Sequence, residues 1–142
     1  MLFRSTVWAW GANGANQLGD GTNTQRLTPV QVPGLQGMVA IAAGPAFSFA
    51  LRNDGTVWAW GNNYWGQLGD GTNTGRLAPV PVSSLSGVVA IDAGELHSLA
   101  RKGDGTLWTW GGNHDGELGN GTYAGTNAPQ QVGTNTNWGP TP

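Results

Sequence analysis

The chain has 142 residues, a formal net charge of −2 and only 10% charged residues, against roughly 25% in an ordinary globular domain. Its 25 Gly and 8 Pro fall just under the share that marks low complexity. The 8 Trp exclude a disordered chain, which is rich in charge and poor in aromatics, and the Ala/Leu/Glu/Lys stock of a helical bundle is missing. Strands and turns remain. One lysine, Lys102, and five scattered arginines make no basic stripe, which argues against nucleic acid as a direct partner. Without cysteine there are no disulfide staples and no thiolate zinc site. No run approaches the ~18 apolar residues of a membrane-spanning helix. Met1-Leu2-Phe3-Arg4 is too short to be a signal peptide.

A repeat organises the sequence. Thr6-Val7-Trp8-Ala9-Trp10-Gly11 returns as Thr56-Val57-Trp58-Ala59-Trp60-Gly61 and again as Thr106-Leu107-Trp108-Thr109-Trp110-Gly111. The period is 50 without insertion, and about 31 of 50 positions agree between residues 6–55 and 56–105. Gln17 to Thr22 recurs at Gln67 to Thr72 and, more loosely, at Glu117 to Thr122, while Pro29, Pro79 and Pro129 keep register. Self-similarity at this spacing marks repeat architectures.

Each unit reads as four short strands, best seen in the second. Residues 38–43 form a small apolar run suited to an inner strand, and 47–52 follow after Gly44-Pro45. Asn53-Asp54-Gly55 is a hairpin signal, because Asp-Gly tolerates the positive φ of primed turns. Residues 56–61 form the third strand, with Trp58 and Trp60 on one face and Val57 and Ala59 on the other. A Gly/Asn/Thr loop from 62 to 77 leads into Pro79-Val80-Pro81-Val82, which belongs at a sheet edge because proline donates nothing to a ladder. Four-stranded antiparallel units at this period predict an all-β propeller. The chain divides into a partial blade of third and fourth strands (1–37), two blades (38–87 and 88–132) and a stub (133–142). That is about 2.5–3 blades of an incomplete ring, since propellers typically close with four to eight.

The sequence resembles the regulator of chromosome condensation repeat family. The resemblance rests on Val-x-x-Trp-Gly strands, on Asn-x-x-x-Gln-Leu-Gly-x-Gly at Asn13–Gly21 and Asn63–Gly71, and on Pro-x-x-Val. Ala93, Gly94, His97 and Ser98 add the Ala-Gly-x-x-His-Ser element, in which the first copy departs by carrying Phe47. It covers residues 6 to about 132 and implies a seven-bladed propeller acting mostly as a protein-binding platform. Members include a nucleotide exchange factor for a small GTPase, a plant ultraviolet-B photoreceptor and secreted bacterial inhibitors of β-lactamases. The close repetition and Asn/Thr-rich loops look most like bacterial members, which implies an extracellular or cell-surface location for the parent protein. Fold alone does not choose among functions.

Constellations that suggest chemistry have plainer explanations. Gly69-Asp70-Gly71-Thr72 supplies one acid where a calcium site wants six or more oxygens, and the third copy has Asn120; a structural turn is expected. Asp92, His97 and Ser98 are residue types of a hydrolase triad, but the first copy has Ala42, Phe47 and Ser48. His114, Asp115 and Glu117 could hold a metal weakly, though a solvated loop accounts for them. The three Trp pairs are expected to pack between blades rather than to sense light. No catalytic residue, metal or cofactor is therefore assigned.

The loops differ more than the strands. Tyr64-Trp65 replaces Gly14-Ala15 of the first copy and becomes His114-Asp115 in the third. In a four-strand meander the first and third connections emerge on the same side, so these positions share a face with Glu95. Exposed Trp and Tyr are favoured at protein interfaces. The expected recognition surface for an unknown protein partner is therefore Tyr64, Trp65, His114, Asp115, Glu117 and Glu95. The alternatives are a structural segment of a larger surface protein without a ligand and, more remotely, an exchange-factor-like regulator, although no wedge-like insertion interrupts the repeat. Open blade faces also predict self-association.

Overall fold

The computed structural model describes residues 5–135, so the expectations placed on Met1 and on Thr136 to Pro142 lie outside the described residues. Among the described residues every regular element is a strand. They are β1 (Trp8–Gly11), β2 (Arg26–Gln31), β3 (Met38–Ala43), β4 (Phe47–Arg52), β5 (Val57–Gly61), β6 (Arg76–Pro81), β7 (Val88–Ala93), β8 (His97–Lys102), β9 (Leu107–Gly111) and β10 (Thr126–Gln131). β1 and β2 pair as a ribbon, and β3 to β6 and β7 to β10 each form a four-stranded meander in chain order. All pairings are antiparallel, and each outer pair carries an irregularity at the same repeat position, Ala9/Gly11, Ala59/Gly61 and Thr109/Gly111.

The proline-bearing strands β2, β6 and β10 occupy sheet edges, where a missing N–H costs nothing. β6 starts at Arg76, three residues earlier than the prolines suggest, because Arg76 pairs with Gly61 beyond the irregularity. The Asp-Gly hairpin is not a primed two-residue turn. In residues 53–55 only Gly55 has positive φ, at 82°; Gly55 N–H donates to the Arg52 carbonyl at 3.0 Å and Arg52 N–H to the Thr56 carbonyl at 2.9 Å. This is a three-residue loop closed by a left-handed glycine. Asp54 braces it by accepting from the Thr56 N–H and hydroxyl.

The core lies between sheets. At the first junction Val7, Val32 and Leu35 meet Met38, Ala50 and Trp60. At the second, Phe49, Leu51, Val57, Ala59, Leu68, Val82 and Leu85 meet Val88, Ala100 and Trp110. Strand alternation explains the division: Ser48, Ala50 and Trp60 face backward along the chain's course, while Phe47, Phe49 and Leu51 face forward.

Trp60 and Trp110 are 2% and 1% exposed, yet Trp8 and Trp10 are 52% and 62% exposed. The expected packing between blades is seen for Trp60 and Trp110, while no described sheet lies over the side of β1 that Trp8 and Trp10 face. Trp58 and Trp108 are half-buried beneath the cations of Arg52 and Lys102, 4.8 and 4.3 Å from their ring centres.

Each junction is fastened to one main-chain oxygen. The Trp60 indole N–H and the Ser48 hydroxyl both donate to the Gln17 carbonyl at 2.9 Å. Trp110 and Ser98 donate likewise to the Gln67 carbonyl, at 2.9 and 2.8 Å. A buried indole needs such an acceptor.

Candidate functional site

The long loop between the third and fourth strands of each unit is held from within by one asparagine. Asn63 is 1% exposed. Its amide donates to the Thr72 and Thr74 carbonyls and to Asp70, and its side-chain oxygen accepts from Leu68 N–H. Asn13 and Asn113 repeat this. Asp70 is fully engaged as well, by the Thr72 N–H and hydroxyl and by Arg76 Nε at 2.7 Å. Burial pulls the Asp70 carboxyl upward, but Thr72 and the Arg76 charge outweigh it and hold it below the ordinary carboxylate value. Asp20 behaves in the same way with Thr22 and Arg26. These aspartates are turn-building groups with their oxygens occupied.

On this frame stand the residues picked out by loop variation. Tyr64 and Trp65 meet edge to face, with ring centres 4.9 Å apart, and Trp65 meets His114 of the next sheet in the same way at 4.3 Å. Residues of successive repeats therefore form one exposed aromatic array, with Tyr64 71% and Trp65 40% exposed. The β7–β8 turn lies beside it, since Gly112 N–H donates to the Leu96 carbonyl at 2.8 Å and a Cβ on Gly112 would touch both Leu96 and Trp65. The first and third connections thus share one end of the sheets.

Glu95 is exposed in that turn, beside the array rather than in it. Asp115 is exposed next to His114. Glu117 has a structural task, because its carboxylate accepts the Asp115 N–H at 2.9 Å, as Gln17 and Gln67 accept from Ala15 and Trp65. Backbone N–H groups of Glu117 and Asp115 hold its carboxyl below the ordinary glutamate value, helped by the nearby His97 and His114.

Two contributors escaped the sequence reading. Asn127 donates to Asn73 Oδ1 at 3.0 Å and to the Gly71 carbonyl at 3.2 Å, and Asn73 donates to the Tyr64 carbonyl at 3.0 Å. Together they tie the two loops beside a cleft of about 440 Å³ lined by Trp65, Asn73, Gly125, Thr126 and Asn127. The available signal was the change from Arg76-Leu77 to Thr126-Asn127. The hydrolase arrangement is not assembled: Ser98 is wholly buried with its hydroxyl on Gln67, whereas His97, next along the strand, faces the other side of the sheet.

Two models of the regulator of chromosome condensation (RCC1) repeat match this sequence, one over residues 5–51, 54–101 and 104–138, the other over 38–67 and 88–117. The chain belongs to the RCC1 repeat family. The RCC1 repeats here are blades of a β-propeller, and solved structures bear out that architecture. Prp20p from Saccharomyces cerevisiae is similar with a TM-score of 0.82 and 22% identity over 93% of this chain and 35% of that one. Human WBSCR16 gives 0.81 and 21%, covering 92% and 34%. Yeast RCC1 (Prp20), in a structure where it is bound by Kap60, gives 0.78 and 28%, covering 93% and 32%. This chain spans about a third of the length of these structures.

Proposed function

We propose that these RCC1 repeats form a non-catalytic protein-binding module, whose recognition surface is the loop face bearing Tyr64, Trp65 and His114, with Asp115, Glu117 and Glu95 around them. The observation that carries this reading is the exposed three-ring array, built from two repeats at positions where the repeats differ. Rigid aromatics on a braced scaffold give large contact area at low entropic cost, the character of interface hot spots. A protein partner also fits the relatives, since Prp20p binds Gsp1p and histones and yeast RCC1 is seen with Kap60.

The test is affinity capture with the wild-type chain, Trp65→Ala, His114→Ala and the opposite-end control Asn53→Ala. Proteins kept by wild type and Asn53→Ala but lost with Trp65→Ala support the surface, while Trp65→Ala should cost less than about 1 kcal/mol of stability, as expected of an exposed loop residue. An identical captured set from all four chains overturns it.

A further inference from the structure

The cleft beside the aromatic array lies between the two sheets that are described in full, β3 to β6 and β7 to β10, so both of its walls are present. It holds about 440 Å³ and is lined by Trp65 and Asn73 from one loop and by Gly125, Thr126 and Asn127 from the next. That volume falls within the ~300–1,000 Å³ of small-molecule sites.

Three of the lining residues depart from the repeat, and they come from two different units. At the preceding junction the same places hold Ala15, Arg76 and Leu77. Arg26 and Arg76 each pair with an aspartate of their own loop, Asp20 and Asp70. In the third unit both partners change together, to Asn120 and Thr126. The exchange leaves the local charge balance as it was, shortens the side chain at position 126 and takes a cation away from the cleft. Asn127 then puts an amide where the second unit has leucine, and Trp65 an indole where the first has a methyl group.

What these changes leave open suits an uncharged polar ligand. None of the lining residues carries a charge. Asn127 commits its amide to Asn73 Oδ1 and the Gly71 carbonyl, and Asn73 donates to the Tyr64 carbonyl. Among the described residues that leaves the Asn127 side-chain oxygen as an acceptor and a second Asn73 amide hydrogen as a donor. Trp65 is 40% exposed, and Tyr64 and His114 meet it at 85° and 89°, which fixes the indole without stacking on it. An electron-rich indole face attracts the partly positive C–H bonds of a saturated ring. Hydroxyls, which donate and accept, match a mixed set of amide groups.

We propose that this cleft binds a neutral sugar ring, stacked on Trp65 and hydrogen-bonded by Asn73 and Asn127. The assignment does not rest on the protein-binding reading, because Thr126 and Asn127 line the cleft and lie outside the ring array.

Two-dimensional amide NMR reads the outcome, with circular dichroism establishing that each variant is folded; the Trp65 indole signal is the one that Trp65→Ala removes. The probes are the methyl glycosides of glucose, galactose, mannose and N-acetylglucosamine, and the same sugars coupled to albumin. A free glycoside that shifts the Trp65, Asn73 and Asn127 side-chain signals supports the site and assigns a free saccharide. A shift with the coupled form alone supports it and assigns a protein-borne glycan. Thr126→Arg with Asn127→Leu restores the residues of the second unit and should weaken binding about tenfold or more. His114→Ala changes the array but not the cleft lining and should keep sugar binding, so the two readings can fail separately. No shift with any sugar up to about 10 mM, ten times the ~1 mM weak end of the affinity scale, overturns the proposal. So does equal binding by the double variant, or a response to adenosine or a polyproline peptide where the sugars give none. Trp65→Ala, followed through the Asn127 amide, carries the test alone should the double variant fail to fold.

Discussion

Replacing Gly69 by alanine sets one methyl group against the second blade junction. The residue sits at φ 68°, and the new Cβ would lie 2.6 Å from Trp110 Nε1 and 2.8 Å from Cδ1. Left-handed backbone costs an alanine about 1 kcal/mol. The clash adds overpacking of about 1–3 kcal/mol, and a displaced indole loses its bond to the Gln67 carbonyl, about 1 kcal/mol more. The expected loss is about 3–5 kcal/mol, a large share of the ~5–15 kcal/mol that holds an ordinary domain. Gly71→Ala is the control, since Gly71 has φ 83° and nothing within 4 Å of its Cβ; it should lose only the backbone share, about 1 kcal/mol. Urea unfolding followed by tryptophan fluorescence compares the two. Equal losses at Gly69 and Gly71 would refute the idea that indole and glycine are fitted to each other.

Two further outcomes follow from the loop frame. Asn63→Ala should cost about 2–4 kcal/mol in urea unfolding, because it strips partners from the buried Leu68 N–H and from two carbonyls at once; an effect below about 1 kcal/mol would show that the loop holds itself. Acid should loosen the first two loops. Asp20 and Asp70 are lowered from the ordinary value of 3.8, so their contribution is complete above that pH and disappears as pH falls through the lower folded values. The urea midpoint should therefore drop below pH 3.8, and Asp20→Asn with Asp70→Asn should flatten that drop; an unchanged profile in the double variant would remove these carboxylates as the cause.

The strands were legible because the period repeats their alternation three times, and β3 and β4 begin and end where the apolar runs do. Turn chemistry was legible in kind but not in type, since Asp-Gly is compatible with more than one loop length and only the chain geometry selected the three-residue form. The fate of the tryptophans was half legible. Identical motifs foretold identical burial, but burial depends on what lies opposite and beside the strand, and β1 has neither the covering sheet nor the inner neighbour that β5 has. Loop variation picked out Tyr64, Trp65 and His114. It did not reveal their contact, because a meeting between Trp65 and His114, 49 residues apart, is a property of how blades stack. The acceptor of the buried indoles had no signature at all, being a main-chain oxygen.

That last point bears on how such a chain can change. The oxygen that fastens each blade to the next belongs to Gln17 or Gln67, but every residue type provides the same group, and Glu117 stands at the third position. Cohesion of the ring is thereby separated from the identity of the residues on its rim. Loops can exchange side chains in search of new partners while the grip between blades stays constant, so the architecture can gain a new specificity without first becoming less stable.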